Sequence, residues 1–174
     1  MERNSTDVAA AVATMLAAKP EVIIMVSAYS SCAEFIKQVK AKDLPTRFVN
    51  VSFVGTKPLA KALGADADGV IISQVMPPPT ANKFPIIVEY QKALKAAGIT
   101  DFSYTSLEGY IAAKVLVEAL RLGGYASRDA LIKSLESLSN LDIGGFNVSF
   151  GPDDHNASAF VELTVLNKNG EVRY

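Results

Sequence analysis

Three short apolar runs set the frame of this chain: VIIMV at 22–26, RFVNVSF at 47–53 and GVIISQ at 69–74. Each follows a stretch whose apolar residues recur at helical spacing. Before the first run, Val8, Ala11, Val12, Met15 and Leu16 mark one helical face. Ser5 or Thr6 suits the cap of that helix and Asp7 its first turn. A second helix begins near Ser31 and turns Phe35, Ile36 and Val39 inward until Asp43-Leu44-Pro45 breaks it. A short helix over Lys57–Leu63 ends at Gly64, in the manner of helices that stop on a glycine. The order helix, strand, helix, strand, helix, strand predicts parallel strands joined by right-handed crossovers, an α/β doubly wound sheet. Val22–Val26 contains no polar residue, so it reads as a strand buried on both faces.

The rhythm breaks at MPPPTANKFP. Pro77-Pro78-Pro79 cannot lie inside a sheet and favours a stiff, extended path, so residues 75–84 read as a connection between lobes rather than a surface loop. Beyond it, Ile87, Tyr90, Leu94 and Ala97 line one face of a helix. A longer helix spans roughly Ser103–Leu122 and stops at Gly123-Gly124. Ser127 caps another, with Leu131, Leu135 and Leu138 on its inner side. GGFNVSF and AFVELTVL then read as two strands around the polar turn GPDDHNAS, and Asn169-Gly170 as a hairpin turn before a last short strand.

Several function classes find no support. The 174 residues suffice for one domain or two small lobes. Although 49% are apolar, no run approaches the ~20 apolar residues of a membrane span. The net charge is −1 with acids and bases scattered, so there is no basic stripe for nucleic acid. Cys32 is the only cysteine, which rules out an intrachain disulfide. It stands where a helix begins, but no basic residue is near it in sequence, and it reads as a small buried residue. The single histidine, His155, lies in GPDDHN, where Asp153 and Asp154 are adjacent and diverge, so the segment reads as a solvated turn rather than a triad or metal site. Glu108 is expected in the first turn of the long helix, where it reads as favoured by the helix dipole rather than as a receiver for a cationic group. No glycine-rich phosphate loop and no calcium loop occur. The expectation is a chain without enzymatic activity, metal or cofactor. Asn-x-Ser/Thr sequons at Asn4, Asn50, Asn147 and Asn156 read as chance matches, since Asn50 and Asn147 fall in expected strands.

Open parallel sheets bind ligands outside the carboxyl ends of their strands. Two such ends carry suitable groups here: Ser27-Ala28-Tyr29-Ser30-Ser31 and Asn50-Val51-Ser52-Phe53. A helix N-terminus with unpaired N–H groups is expected after each. Either a small polar molecule sits on these side chains, or Ser30 or Ser31 caps the helix beside a half-exposed tyrosine. The candidate ligand-binding residues are Ser27, Tyr29, Ser30, Asn50, Ser52 and Phe53.

The segment RNSTDVAAAVATMLAAKPEVIIMVSAYSSCAEFIKQVK resembles the second half of type I periplasmic solute-binding proteins, the leucine/isoleucine/valine-binding group that feeds ABC transporters. The resemblance continues through RFVNVSFVGTKPLAKALGADADGVIISQVMPPP and SLEGYIAAKVLVEALRLGG to IGGFNVSFGPDDHNASAFVELTVL, nearly the whole chain. It implies two α/β lobes with a ligand between them that closes by hinge motion. Residues 1–75 would form the core of the second lobe. Residues 76–145 would supply a crossing segment and helices that pack on the first lobe, and 146–174 strands that return to the second. The amino-terminal half of the family pattern, with its signal peptide, is not in this sequence.

The resemblance further implies a periplasmic or extracellular protein, soluble or lipid-anchored, that hands a small molecule to an ABC transporter permease. In members that bind amino acids, an aromatic after the first strand contacts the ligand, which here is Tyr29. An acid at the end of the next strand usually takes the ligand ammonium. Ser52 stands there instead and cannot neutralise it. Carboxylates, amides and aromatic acids fit at least as well as an amino acid. Two rival readings are a ligand-sensing domain of the same fold in a receptor or regulator, and a small doubly wound enzyme. Exposed strand edges and apolar faces would seek another chain, so a homodimer, formed by segment exchange, is a further expectation.

Overall fold

A computed structural model describes residues 5–174; the sequon at Asn4 lies outside them. The chain divides into two compact units, one of residues 5–75 with 161–174 and one of residues 76–160.

In the first unit, helix α1 (Ala9–Ala18) precedes strand β1 (Val22–Met25), helix α2 (Tyr29–Lys40), strand β2 (Arg47–Val51), helix α3 (Thr56–Leu63) and strand β3 (Ile71–Gln74). β1, β2 and β3 are parallel neighbours, as the alternation predicts. The sheet is completed from the far end of the chain. Strand β6 (Glu162–Leu166) lies antiparallel to β3, and β7 (Val172–Arg173) antiparallel to β6, giving the order β1-β2-β3-β6-β7. The β6–β7 turn falls at Asn169-Gly170. Gly170 takes φ 75°, and a Cβ there would stand 3.1 Å from Ala60 Cβ, so the hairpin lies close against α3.

The core lies on one face of this sheet. Val8 and Val12 of the α1 segment, Ile36 and Val39 of α2, and Leu59 and Leu63 of α3 pack with Ile23, Phe48, Ile72 and Leu166 of the strands. The other face is different. Val22 and Ile24, expected to be buried, are exposed, Ile24 at 73%. β1 is therefore not covered on both faces, because all three helices share one side. α1 also starts later than its sequence suggests. Its cap is Val8, and Ser5 Oγ accepts from the Asp7 amide at 3.0 Å, which makes a turn ahead of the helix.

The second unit is mainly helical: α4 (Pro85–Ala96), α5 (Tyr104–Ala119) and α6 (Arg128–Glu136), with the short antiparallel pair β4 (Leu141–Asp142) and β5 (Asn147–Val148). Pro85 opens α4, where its missing N–H costs nothing. Ser103 and Ser106 form a capping box on α5, and Ser127 caps α6 through the Ala130 amide. Glu108 thus sits in the second turn of α5, not the first. The two strands expected around GPDDHNAS lie in different sheets: β5 pairs with β4, while β6 joins β3. Residues 146–160 accordingly stay with the second unit.

Candidate functional site

The carboxyl ends of β1 and β2 form a polar rim. β1 ends at Met25, and α2 starts at Tyr29 with Ala28 as its cap. Ala28 has no side-chain oxygen to offer, and intrahelical bonding begins with the Cys32 amide to Ala28 O at 3.0 Å. The amides of Tyr29, Ser30 and Ser31 therefore have no partner within the helix. Neither Ser30 nor Ser31 is the cap. Ser31 Oγ instead donates to Ser5 O at 2.6 Å, tying α2 to the chain ahead of α1.

β2 leads into a 3-10 turn over Ser52–Val54, closed by the Gly55 amide to Ser52 O at 3.1 Å. Met25 pairs with Asn50. Ser27 and Ser52 each lie two positions further on, on strands ~4.8 Å apart. Tyr29 is 46% exposed and Phe53 73%. The hydroxyls of Ser27, Tyr29, Ser30 and Ser52 make no hydrogen bond among the described residues. Five of the six candidates thus stand at one end of the sheet, offering free hydroxyls, two exposed rings and a helix N-terminus. None is a carboxylate.

Asn50 does not join them. It is 0% exposed, and both atoms of its amide lack a partner among the described residues. Its place follows from strand parity: Asn50 shares a face with Phe48, two residues earlier, and that face is the one the helices cover. A second buried polar group near it escaped sequence reading. Gln74 Nε2 donates to Thr56 Oγ1 (2.9 Å) and Thr164 Oγ1 (3.1 Å), and Thr164 Oγ1 donates to Ile72 O (2.9 Å). This clip joins β3, β6 and α3. Its only trace in the sequence is one polar residue at the end of GVIISQ and another inside VELTVL.

Beside the rim is a cavity of about 200 Å³ whose lining includes Val8, Met25, Ser27, Ser31, Cys32 and Phe35. Cys32 is buried, its Sγ 3.6 Å from Ser27 O. Burial pushes its thiol above the ordinary value, against a smaller lowering by that backbone contact. A nucleophilic thiolate needs the opposite shift.

The remaining sequence candidates do not converge. His155 Nε2 lies 3.0 Å from Glu136 Oε1 on α6. Asp154 accepts from the backbone and side-chain nitrogens of Asn156, both at 2.9 Å, and the backbone bond most of all holds its carboxyl below the usual range. No cluster of three metal-ligating groups occurs among the described residues. In the second unit, Tyr110 Oη donates to Glu89 Oε1 at 2.8 Å and Lys114 bonds the other oxygen. Burial, then the Glu89 contact, pushes the Tyr110 phenol up to about 12, while Lys114 first and Tyr110 second hold Glu89 down. No helix of the described residues is long and apolar enough to cross a membrane.

Comparison with known proteins places the fold of the chain. A family model described as periplasmic binding protein matches residues 1–171. Among solved structures, a possible leucine/isoleucine/valine-binding protein from Rhodopirellula baltica is 30% identical with a TM-score of 0.88, over 100% of this chain and 48% of that one. A substrate-binding periplasmic protein from Ralstonia solanacearum is 32% identical with a TM-score of 0.85, over 98% and 50%. A branched chain amino acid ABC transporter protein from Thermus thermophilus with bound valine shares the fold at 16% identity and a TM-score of 0.77, over 99% and 49%. The chain thus spans about half the length of the structures it matches. No curated protein matches it.

Proposed function

The chain belongs to the periplasmic binding protein family, and from that premise we propose that it supplies one wall of a solute-binding cleft in an extracytoplasmic component of an ABC importer. The observation that carries this reading is the rim itself. Among the described residues, the hydroxyls of Ser27, Tyr29, Ser30 and Ser52 stand unengaged at adjacent parallel strand ends, flanked by the rings of Tyr29 and Phe53. A serine hydroxyl inside a fold normally finds a backbone partner. A group of free ones beside exposed rings suits a ligand with a polar head and an apolar body.

The chemistry narrows the solute. The first turn of α2 directs unpaired N–H groups and the positive end of its dipole to the rim, which favours a carboxylate or an amide oxygen. None of the five rim residues is itself an acid that could hold an ammonium. A short carboxylate, an amide or an aromatic acid is therefore preferred over a free amino acid at this wall. Binding makes and breaks no bond. The opposite wall closes over the solute by hinge motion, and the loaded protein docks on the permease.

The test is residue-resolved. Amide chemical shifts of the 174-residue chain are followed during titration with millimolar propionate, propionamide, benzoate and leucine. The reading expects saturable shifts confined to 27–31 and 52–53, weakened in Tyr29→Ala and stronger for the acids and the amide than for leucine. Shifts elsewhere, or none with any compound, overturn it. Stronger binding of leucine overturns the ligand class alone.

A further inference from the structure

One buried amide joins the solute rim to the strand ends where the chain leaves the first unit and returns to it. Gln74 is the last residue of β3 and pairs with Glu162, the first of β6. The chain passes out of the first unit after Val75 and comes back at Val161. Gln74 and Thr164 are each 0% exposed, and Thr56 7%. The bonding among them runs in one direction. Thr164 Oγ1 donates to Ile72 O at 2.9 Å, so towards Gln74 it can only accept. The amide therefore turns Nε2 to the threonines, and its N–H groups reach Thr56 Oγ1 at 2.9 Å and Thr164 Oγ1 at 3.1 Å. Oε1, on the other branch, is buried with no partner among the described residues. A leucine would fill the same place without that desolvation cost. What it would not supply is a pair of directed bonds in a dry interior, where they are stronger than in water.

We infer that Gln74 is a positioning residue for the rim: it holds the turn that presents Ser52 and Phe53. The β2–β3 ladder stops at Val51 with Ser73, one residue short of Ser52. Past that point the turn over Ser52–Val54 closes on itself through the Gly55 amide to Ser52 O, and its far end is set by Thr56. Gly55 takes φ 75°, in the region that favours glycine, and Thr56 opens α3 directly after it. The Gln74 bond pins the Thr56 side chain at the foot of the turn. Thr164 takes no part in the rim. It stands on β6, two strands from β2 at ~4.8 Å each, and acts by aiming the Gln74 amide. The placement of Ser52 and Phe53 is thus set, through one side chain, from the roots of both connections to the second unit. The bearing of Gln74 on solute rests on the function proposed above; its bearing on the turn does not.

Amide chemical shifts of the 174-residue chain test this, first without solute. Thr164→Val keeps the branched shape and removes the acceptor. It is expected to move the amides of Ser52, Phe53 and Gly55 by more than a line width. Thr164→Ser, which keeps the hydroxyl, is expected to leave them in place, and Gln74→Leu to move them further. Should Thr164→Val not fold, Gln74→Leu decides in its place. Leu63→Ala is the control: it thins the core at the far end of α3, ~10 Å along the helix, and is expected to lower stability without moving the turn. With propionate, Thr164→Val is expected to raise Kd ~tenfold, the effect of one lost hydrogen bond, and Thr164→Ser to leave it unchanged. Turn amides that stay in place in Thr164→Val and Gln74→Leu overturn the inference. So does a serine variant that behaves as the valine one, a Leu63→Ala chain whose turn moves as far, or a displaced turn with unchanged Kd. If no solute binds the unsubstituted chain, the proposed function fails, and the shifts of the free chain still decide whether Gln74 sets the turn.

Discussion

The two faces of the sheet in the first unit are built from the same strands and differ in almost everything else. On the covered face, Ile23, Phe48, Ile72 and Leu166 are sealed under three helices, and with them Asn50, Gln74 and Thr164. On the open face, one residue along each strand, Val and Ile are left in view. A half-solvated sheet normally shows the reverse, with apolar residues inward and polar ones outward. Here the polar side chains are inside and the bare surface is oily. The composition of a strand therefore records where it is stable, and the helices present decide which side reaches that state.

This contrast gives direct tests. The largest effect separates the faces by stability. Ile36→Ala and Ile72→Ala remove side chains that are fully buried and should each lower the unfolding free energy in urea by about 3 kcal/mol. Ile24→Ala, measured dilute enough for single chains, should change it by no more than about 0.5 kcal/mol. Similar losses on both faces would show that the open face is already covered in solution.

A smaller effect of opposite sign comes from the amide inside. Asn50 holds two polar atoms away from any partner. Asn50→Leu keeps the branched heavy-atom skeleton, at a larger volume, and removes that desolvation cost, so it should raise stability by about 1–2 kcal/mol where the surrounding side chains make room. A loss beyond the cost of the added volume would mean that the amide is satisfied in solution.

The last test leaves stability alone and reads access. A cysteine at position 24 should react with a thiol reagent on the order of 100-fold faster than Cys32, whose reaction waits for local opening. The Cys32 thiol is raised by burial, so its thiolate-dependent rate should rise at higher pH than that of a free cysteine.

Much of this was legible in the residues. The alternation of runs and helical faces gave the three parallel strands, and hydroxyl-rich turns marked their ends. Of the six candidate residues, five lie at those strand ends and Asn50 is buried. What was hidden was parity. In RFVNVSF both alternating sets contain apolar and polar members, so nothing local tells whether Phe48 or Val49 meets the helices. Asn50 followed Phe48 inward. Val22–Val26 is apolar at every position, so its pattern cannot show that one side is left bare. The Tyr110–Glu89–Lys114 group needs two helices brought together, and β4 pairs with β5 over two residues each, too few to leave a pattern.

The place of β6 has a consequence for synthesis. It lies against β3 inside the sheet, yet its first residue, Glu162, follows Gln74 by nearly ninety positions. At a translation rate of ~5–20 residues per second, that interval is on the order of 5–20 s. During it, β3 waits with one side unpaired and Gln74 without Thr164. The contiguous helical unit leaves the ribosome whole in the meantime. Of the two units described, the one that starts earlier in the chain is the later to be finished, and nascent chains are most open to chaperones, proteases and wrong strand partners in that window.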